Sequence, residues 1–565
     1  MTSQNGVIFG GRRIIHPGGY DIIDASGMTR MFEGGSSVIM LGTGLGGEPG
    51  KVLKFSNPDE ASRVLRGGNL AVAVDMAFSP VPEGGGGASE VMAIRVNPAT
   101  PSVLIKNGIS YESQGYGLYT KNVQVKLEDG TIPGTKKHVA QLWTDDIIEV
   151  TDNLGAILTF KYTGGEDYAV LDVALDNTGK AEFFRTYVGT DEETAALDLD
   201  LNLKDPRFGT IMDLVNYLSG ISDYVVQFSK SQSRGLLSIK LDEVLKENIK
   251  SADGYTVMAL KGDTELIINN TSSLIRIEVT GDMSNFDYTN LAGGEEGSAP
   301  ISWKSALNLA KEENNKLLVI LSGSEPIQAE ADAHVQYMSS RENKKQLMLT
   351  GPELGETKDQ VKARALNFNN SRVVMAYPGC LYTYKGETLQ FPSYFTAAIM
   401  AGRLAGVSPS EPITFDYFNF KGLEKYLEWS EVEDLIMNGV APMEYVKNEG
   451  FRLVQGITTY TKDDNSLYSE ISVRLGADNI SEGLRKRLEK KFVGKKGDAS
   501  VVASETSVTT ESRDYLEELK RDNEIVAYRN IIVKFVNRRI YVDYEVAPIE
   551  PINFILLTSH FVPAW

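Results

Sequence analysis

KLLVIL, residues 316–321, decides the fold. It is a short apolar run bounded by polar residues, the pattern of a strand buried on both faces. Helix-patterned stretches flank it, WKSALNLAK at 303–311 and IQAEADAHVQYM at 327–338. The same alternation continues with QLML at 346–349 as a strand, KDQVKARAL at 358–366 as a helix and RVVMAY at 372–377 as a strand. SYFTAAIMAGRL at 393–404 is a helix rich in small residues. Strands alternating with helices predict a mostly parallel sheet covered on both faces.

Working outward, 36–96 has the same character. SVIML at 37–41 and VMAIRV at 91–96 read as strands, with helices from about 57 and at 70–78. Asn57 suits the first helix as its cap, Pro58 its first turn, and Asp59 and Glu60 its positive end. Residues 97–300 differ. Alternating runs such as NVQVKL (122–127) and AILTFKY (156–162) are separated by Asp129-Gly130 and Gly164-Gly165. They predict β-rich insertions with one helix near 211–218. Beyond 412 the expectation is an acidic helix through Met437, strands at 452–460 and 467–473, and a basic helix at 481–492. A polar connector at 498–512 and a short helix at 515–523 follow. Three strands close the chain, at 525–535, 539–546 and 554–561, the middle one placing Ile540, Val542, Tyr544 and Val546 on one face. Residues 1–30 read as an extended arm.

The chain has 565 residues, 42% of them apolar and 24% charged. At about 150 residues per domain it has room for roughly four domains, or fewer large ones. Its formal net charge of −19 makes it a poor general binder of nucleic acid or anionic membrane. A single cysteine excludes an internal disulfide framework and multi-cysteine metal sites, and the four histidines are scattered. The N-terminus lacks a signal-peptide pattern, and the apolar stretch at 395–407 is short and broken by Arg403. A soluble protein made in a reducing cytoplasm is expected.

Candidate chemistry is thin. Gly42-Thr43-Gly44-Leu45-Gly46-Gly47 matches a dinucleotide fingerprint after a strand. A pyrophosphate needs a helix to begin inside such a loop. Pro49 and Gly50 oppose one and Glu48 would repel phosphate, so a glycine-rich turn is the better reading. Glu330 and His334 share a helix face while Asp332 points away, which reads as a solvated surface. Cys380 has no identifiable base or orienter and reads as a buried thiol. The carboxylates Asp463-Asp464 and Glu431, Glu433 and Asp434 are unremarkable in so acidic a chain. Asp198 and Asp200 alternate along a strand and do not wrap a calcium ion. Residues 485–496 stand out, with seven basic residues and one acid. They are either a solvated helix face or a docking surface for an acidic protein. Strand-prone sequence at both ends pairs either with a neighbour's sheet edge or within its own subunit.

Several collinear pieces resemble the contractile tail sheath proteins of myovirus bacteriophages, in the long-sheath branch of large phages of Gram-positive hosts. Pro17-Gly18-Gly19-Tyr20 is similar to the family's Pro-Gly-x-Tyr arm. Residues 37–42, Gly47-Glu48-Pro49-Gly50 and Ile94-Arg95-Val96 resemble its first core segment. Residues 391–402 resemble its small-residue helix, and 456–460 with 466–473 its late strand pair. Phe492-Val493-Gly494-Lys495 matches a Phe-x-Gly-Lys step, and Glu550-Pro551-Ile552-Asn553-Phe554-Ile555 the last strand. The matches cover roughly 1–96 and 300–565.

The resemblance implies an α/β and β multidomain chain, divided as 1–30 exchange arm, 31–96 first part of an α/β sheath core, 97–300 β-rich surface insertion domains, 301–411 α/β part of the core and 412–565 inner domain with the terminal strand-exchange module. It implies a non-enzymatic structural subunit with no cofactor, metal or catalytic residue. Such subunits polymerise as stacked hexameric rings in a helical lattice around the tail tube and contract by rigid-body rearrangement. Strand exchange falls to Tyr20, Asp21, Ile22 and Ile23 in the arm and to Phe554, Ile555, Leu556 and Leu557 at the other end. Arg485, Lys486, Arg487, Lys490 and Lys491 are the candidate tube-facing residues. The implied partners are other copies of the chain, the tail tube protein, and baseplate and tail terminator proteins, with neither nucleic acid nor membrane. The implied location is the virion tail, after assembly in the host cytoplasm. The competing readings are a nucleotide-dependent oxidoreductase built on the 42–47 loop and the sheath of a phage-tail-like bacteriocin.

Overall fold

Nine strands form the central sheet of the computed structural model, which describes residues 7–9, 12–14, 37–493, 504–536, 539–553 and 555–559. Six of them run parallel, in the spatial order Val440–Val446, Val373–Tyr377, Leu347–Thr350, Leu317–Ile320, Val38–Gly42 and Val91–Arg95. Antiparallel strands finish both edges. Val52–Phe55 lies beside Val91–Arg95, and Gly450–Leu453 followed by Tyr417–Phe418 lies beside Val440–Val446. The sheet therefore joins two stretches separated by more than two hundred residues of sequence, and it continues to Leu453.

Alternation along each strand divides the core. Val38 and Met40 pack with helices Gly68–Phe78 and Ser393–Gly406 on one face. Ile39 and Leu41 pack with Lys304–Glu312 and Glu325–Ser340 on the other. Lys358–Phe368 and Trp429–Met437 cover Met375, Tyr377 and Val440. Each buried aliphatic side chain contributes roughly 1.5–3 kcal/mol. The small residues at 397–402 have a specific purpose. A Cβ on Gly402 would lie 2.4 Å from the backbone of Ala77, so the two helices approach too closely for any larger residue. The predicted cap is present too, with Asn57 Oδ1 accepting from the Glu60 N–H at 2.8 Å and Pro58 opening the helix.

The 97–300 stretch is β-rich, as its alternation predicts. One part joins a three-stranded and a four-stranded sheet over a core that includes Ile109, Tyr111, Val125 and Ile275. The other joins three strands and four strands around Phe160, Phe184 and Leu214. Helix Ile211–Leu218 is present. Helix Leu260–Thr271, absent from the sequence reading, is added; its weak apolar stripe hides it. Ala196–Asn202 is a strand, which spreads Asp198 and Asp200 along an edge.

The C-terminal third departs from expectation at three places. Residues 467–473 are not a strand: Ser466–Ser469 is one helical turn and Ile471–Phe492 a 22-residue helix. The β-branched Ile471 and Val473 mimic a strand, but Ile471 and Leu475 face the core one turn apart and an Arg474–Asp478 pair bridges the next turn. Of the expected strand pair, a single antiparallel bridge between Ile457 and Glu470 remains, and the preceding strand ends at Leu453. The polar connector is shorter than expected because Ser504 caps a helix spanning Glu505–Arg521. Serine and threonine in 504–512 look like linker by composition, while Val508, Ser512 and Leu516 are buried. Finally, the closing strands Ile525–Val536 and Arg539–Pro548 form a hairpin, but Ile555, Leu556 and Leu557 are not in a strand.

Candidate assembly interface

The long helix Ile471–Phe492 carries the C-terminal module and is fixed to the core by a buried ion cluster. Arg372, at the start of a core strand, makes a two-pronged bond to Asp478, with Nη1 to Oδ2 at 2.7 Å and Nη2 to Oδ1 at 2.9 Å. Arg474 Nη2 adds a third bond at 2.5 Å. Burial alone would raise the Asp478 carboxyl; the Arg372 bond and the charges of both arginines hold it below its usual value. Ser408 and Ser410 bond to Glu524, tying the entrance of the hairpin to the core.

The basic residues of this helix divide into two groups. Arg487 bonds to Glu511 at 2.5 Å and to Glu518, and Lys491 bonds to Glu511. Those acids belong to helix Glu505–Arg521, so half of the basic stripe joins two helices of the same subunit. The hydrogen bonds from Glu518 and Glu511 raise the Arg487 pKa, and the Arg487 bond lowers that of Glu511. Arg485 pairs with Glu489 and Lys486 with Glu482 along the helix itself. Lys486 and Lys490 are exposed. Sequence reading located the stripe but missed its acidic partners, which lie 20 to 31 residues away in the stretch read as connector and short helix.

The hairpin lies over these helices with one face half-buried. Val542, Tyr544 and Val546 point inward, as the alternation predicts, while Ile540 of the same predicted face is exposed near the turn; two small clusters centred on Phe492, Val508 and Val533 and on Ile480, Leu516 and Ile525 hold the hairpin. It is a two-stranded sheet, and among the described residues neither strand has a second neighbour. Glu505 accepts from the Phe535 N–H at 3.3 Å, and the other outer-edge main-chain groups have no strand partner among the described residues.

From Pro548 the chain runs back along its own body. Ser466 Oγ donates to Glu550 Oε1 at 2.8 Å, and Asn553 Nδ2 donates to Glu470 Oε1 at 2.8 Å. Beyond that point Ile555, Leu556 and Leu557 are 79%, 93% and 87% exposed. Three consecutive large apolar side chains in water are costly unless something else covers them. Phe554, and Tyr20, Asp21, Ile22 and Ile23 of the arm, lie outside the described residues. Nearer the N-terminus, Val7–Phe9 and Arg12–Ile14 pair as a short antiparallel hairpin. The polar contacts that steer the tail carry no sequence signal, because an isolated Asn, Glu or Ser in an acidic chain has no period or motif.

The enzyme-like features have structural occupations. The Gly42–Gly47 loop is filled by its own protein. Gly44 N–H donates to Asn97 Oδ1 at 3.0 Å, and buried Arg95 donates to Gly47 O at 3.2 Å and to Tyr116 O at 3.4 Å. The chain continues into strand Val52–Phe55, and its next helix begins only at Pro58. Glu330 accepts from Ser302 Oγ and the Trp303 N–H, and Asp332 from Asn370. His334 is half-buried, and burial pushes its pKa down to about 4. This face is therefore packed against neighbouring elements, not solvated as the sequence suggested. Cys380 is fully buried, which pushes its thiol up to about 12. Asp434 pairs with Lys358 and Lys362. Among the described residues no cluster of acidic, histidine or cysteine side chains fits a metal ion, and no helix is long and apolar enough to cross a membrane.

Comparison with known proteins bears on the family and the fold. The family described as phage tail sheath protein central domain matches residues 285–459. The tail sheath protein of Bacillus phage SP01 is 44% identical, over 99% of this chain and 98% of its own length. The tail sheath protein of Staphylococcus phage Twort is 28% identical over 92% of each. Among solved structures, the sheath tail protein of Listeria innocua shares the fold with a TM-score of 0.58 at 12% identity, covering 93% of this chain and 94% of that one.

Proposed function

The chain belongs to the phage tail sheath proteins, and from that footing we propose that it acts as one link of a lattice in which neighbours' terminal strands complete each subunit's hairpin. It is a structural subunit of a contractile tail sheath. The observation that carries the proposal is the contrast at its C-terminus: a hairpin whose outer edges have no strand neighbour among the described residues, beside a tail whose three apolar residues those residues leave uncovered.

A strand added to an open edge gains main-chain hydrogen bonds worth about 0.5–1.5 kcal/mol each net. Several bonds per strand give a joint that is strong along the strand yet tolerates rotation of the bodies on either side. Ile555, Leu556 and Leu557, with Phe554, supply one exchanged strand. Tyr20, Asp21, Ile22 and Ile23 supply the other. Subunits joined in this way form hexameric rings stacked on a tail tube. On a signal from the baseplate they rotate and repack as rigid bodies while the exchanged strands keep them connected. The tube is then driven into the host envelope. Contraction draws on new contacts between rings and needs no nucleotide. Assembly takes place in the host cytoplasm, and baseplate and terminator proteins bound the two ends of the sheath.

The basic helix is proposed to face the tube. Lys486 and Lys490 point outward, and Arg485, Arg487 and Lys491 set the field around them while bracing the module. Electron microscopy of the purified protein tests the function as a whole. Hollow helical tubes or rings are the expected result, and uniform compact particles under all assembly conditions would contradict it.

A further inference from the structure

Residues 548–553 form a strap between the terminal hairpin and the exposed apolar run, and its polar side chains are committed to one small surface. Glu550 takes the Ser466 hydroxyl and Asn553 gives its amide to Glu470. Glu470 is a firm anchor. It is only 6% exposed, its carboxylate takes a second bond from Gln455 Nε2 at 2.7 Å, and its backbone N–H donates to Ser466 O at 2.9 Å. It also forms the bridge to Ile457 and stands immediately before the long helix. The strap borders a cleft of about 410 Å³ whose walls include Leu467, Ile480, Tyr544 and Val546.

The spacing explains why the strap has to be held. Residues 549–553 are five in number, and loops of two to five residues are the ordinary connections of β-hairpins. A free 549–553 loop would let Phe554, Ile555, Leu556 and Leu557 turn back onto the open edge of Arg539–Pro548. A segment tethered so closely has an effective concentration near millimolar. It would outcompete any strand arriving from another subunit, and the sheet would close on itself.

We propose that Ser466 and Glu470 form a clamp that holds the strap against the long helix, so that the C-terminal strand departs outward and the hairpin edge stays vacant for a neighbour. This rests on the strand-exchange reading. The clamp adds a specific role for four residues outside the proposed exchange strands and tube-facing residues. Ser466 and Glu470 are positioning residues, and Glu550 and Asn553 are their grips. Pro551 between the grips restricts the loop further, since its fixed φ limits the turns available.

The test compares three full-length proteins: the natural chain, Glu550→Ala/Asn553→Ala and Ile555→Ser/Leu556→Ser/Leu557→Ser. Unassembled subunits are examined by hydrogen exchange at residues 539–548, and assembly by light scattering. In the natural chain the outer-edge amides should exchange freely. In the double alanine variant they should become protected while assembly slows roughly tenfold, the change expected when two hydrogen bonds of ordinary net strength are removed. A double variant that assembles at the natural rate with unprotected edge amides overturns the clamp, provided that the triple serine variant has lost assembly. If the triple serine variant assembles normally, the strand-exchange reading itself fails. Glu470→Gln separates steering from bulk stability. Its amide can still accept from Gln455 and can donate to the Asn553 Oδ1, which is buried without a partner, so it should assemble like the natural chain; a tenfold loss there would also count against the clamp.

Discussion

The central sheet and the terminal hairpin are built from the same kind of strand and end in opposite conditions. Leu317–Ile320 is four residues long, completely buried, paired on both sides and covered by helices above and below. Ile525–Val536 and Arg539–Pro548 are far longer, pair only with each other among the described residues, and bury one face halfway. The first arrangement is complete within a subunit. The second leaves hydrogen bonds and apolar surface to be satisfied elsewhere. Under the proposed strand exchange this division lets a protein stay rigid within subunits and connected between them, with joints made by elements outside the core.

The contrast is broken most completely by removing one of the exchanged ends. Deleting residues 1–23 should abolish polymerisation while the thermal midpoint of the subunit stays unchanged, as read by sedimentation and calorimetry. Tubes formed by the truncated chain would refute the arm's role. Arg372→Ala attacks the junction between the two regions. It leaves the buried Asp478 carboxylate with Arg474 as its one remaining charged partner, and denaturant titration should show a loss near the lower end of about 3–5 kcal/mol. Gly402→Ala tests the completeness of the core. Helix propensity alone favours alanine, but the contact with Ala77 should reverse the sign and cost roughly 1–3 kcal/mol.

Smaller effects sharpen the picture. Lys486→Glu/Lys490→Glu should change stability by no more than about 0.5 kcal/mol, as exposed surface positions do, and should weaken co-sedimentation with tail tubes. Extending the reversal to Arg487 and Lys491 should destabilise the module as well, because Glu511 and Glu518 lose their partners. Acidification should separate two carboxylates. The Asp478 pKa is held down, so its contribution is present above its unfolded pKa and is lost as pH falls through the folded value. The Glu470 pKa is raised, chiefly by burial, so its contribution is present at low pH and is lost as pH rises through the folded value. Hydrogen exchange against pH should therefore show the core junction around Asp478 loosening on acidification, whereas protonating Glu470 relieves the cost of its burial and weakens the bond it accepts from Asn553.

The legible parts of the sequence were those governed by local physics. Buried strands such as 316–321, the capped helix after Asn57 and the two-residue period of 539–546 follow from side-chain patterning that no distant contact overrides. Residues 467–473 read as a strand because β-branched Ile471 and Val473 imitate one, whereas their conformation is set by Arg372 and the core, a hundred residues away. The 498–512 stretch was misread because composition does not reveal a cap at Ser504 or the burial of Ser512. The exchange strands are nominated through family resemblance, and although Ser466, Glu470, Glu550 and Asn553 lie in segments that carry that resemblance, nothing in the sequence pattern pairs them with one another.

The most direct test of the woven arrangement is a crosslink made in the assembled sheath. One protein carries Leu556→Cys, a second carries Tyr541→Cys at the hairpin, and the two are mixed before assembly; the natural Cys380 is buried and stays silent. Bridging needs Cα atoms about 5.5 Å apart, so neighbouring cysteines along the edge are sampled from 539 to 547. Oxidised assemblies should give covalent dimers joining one of each chain, absent from unassembled mixtures. If bridges form only when both cysteines are placed in the same chain, the tail belongs to its own subunit and the account is wrong.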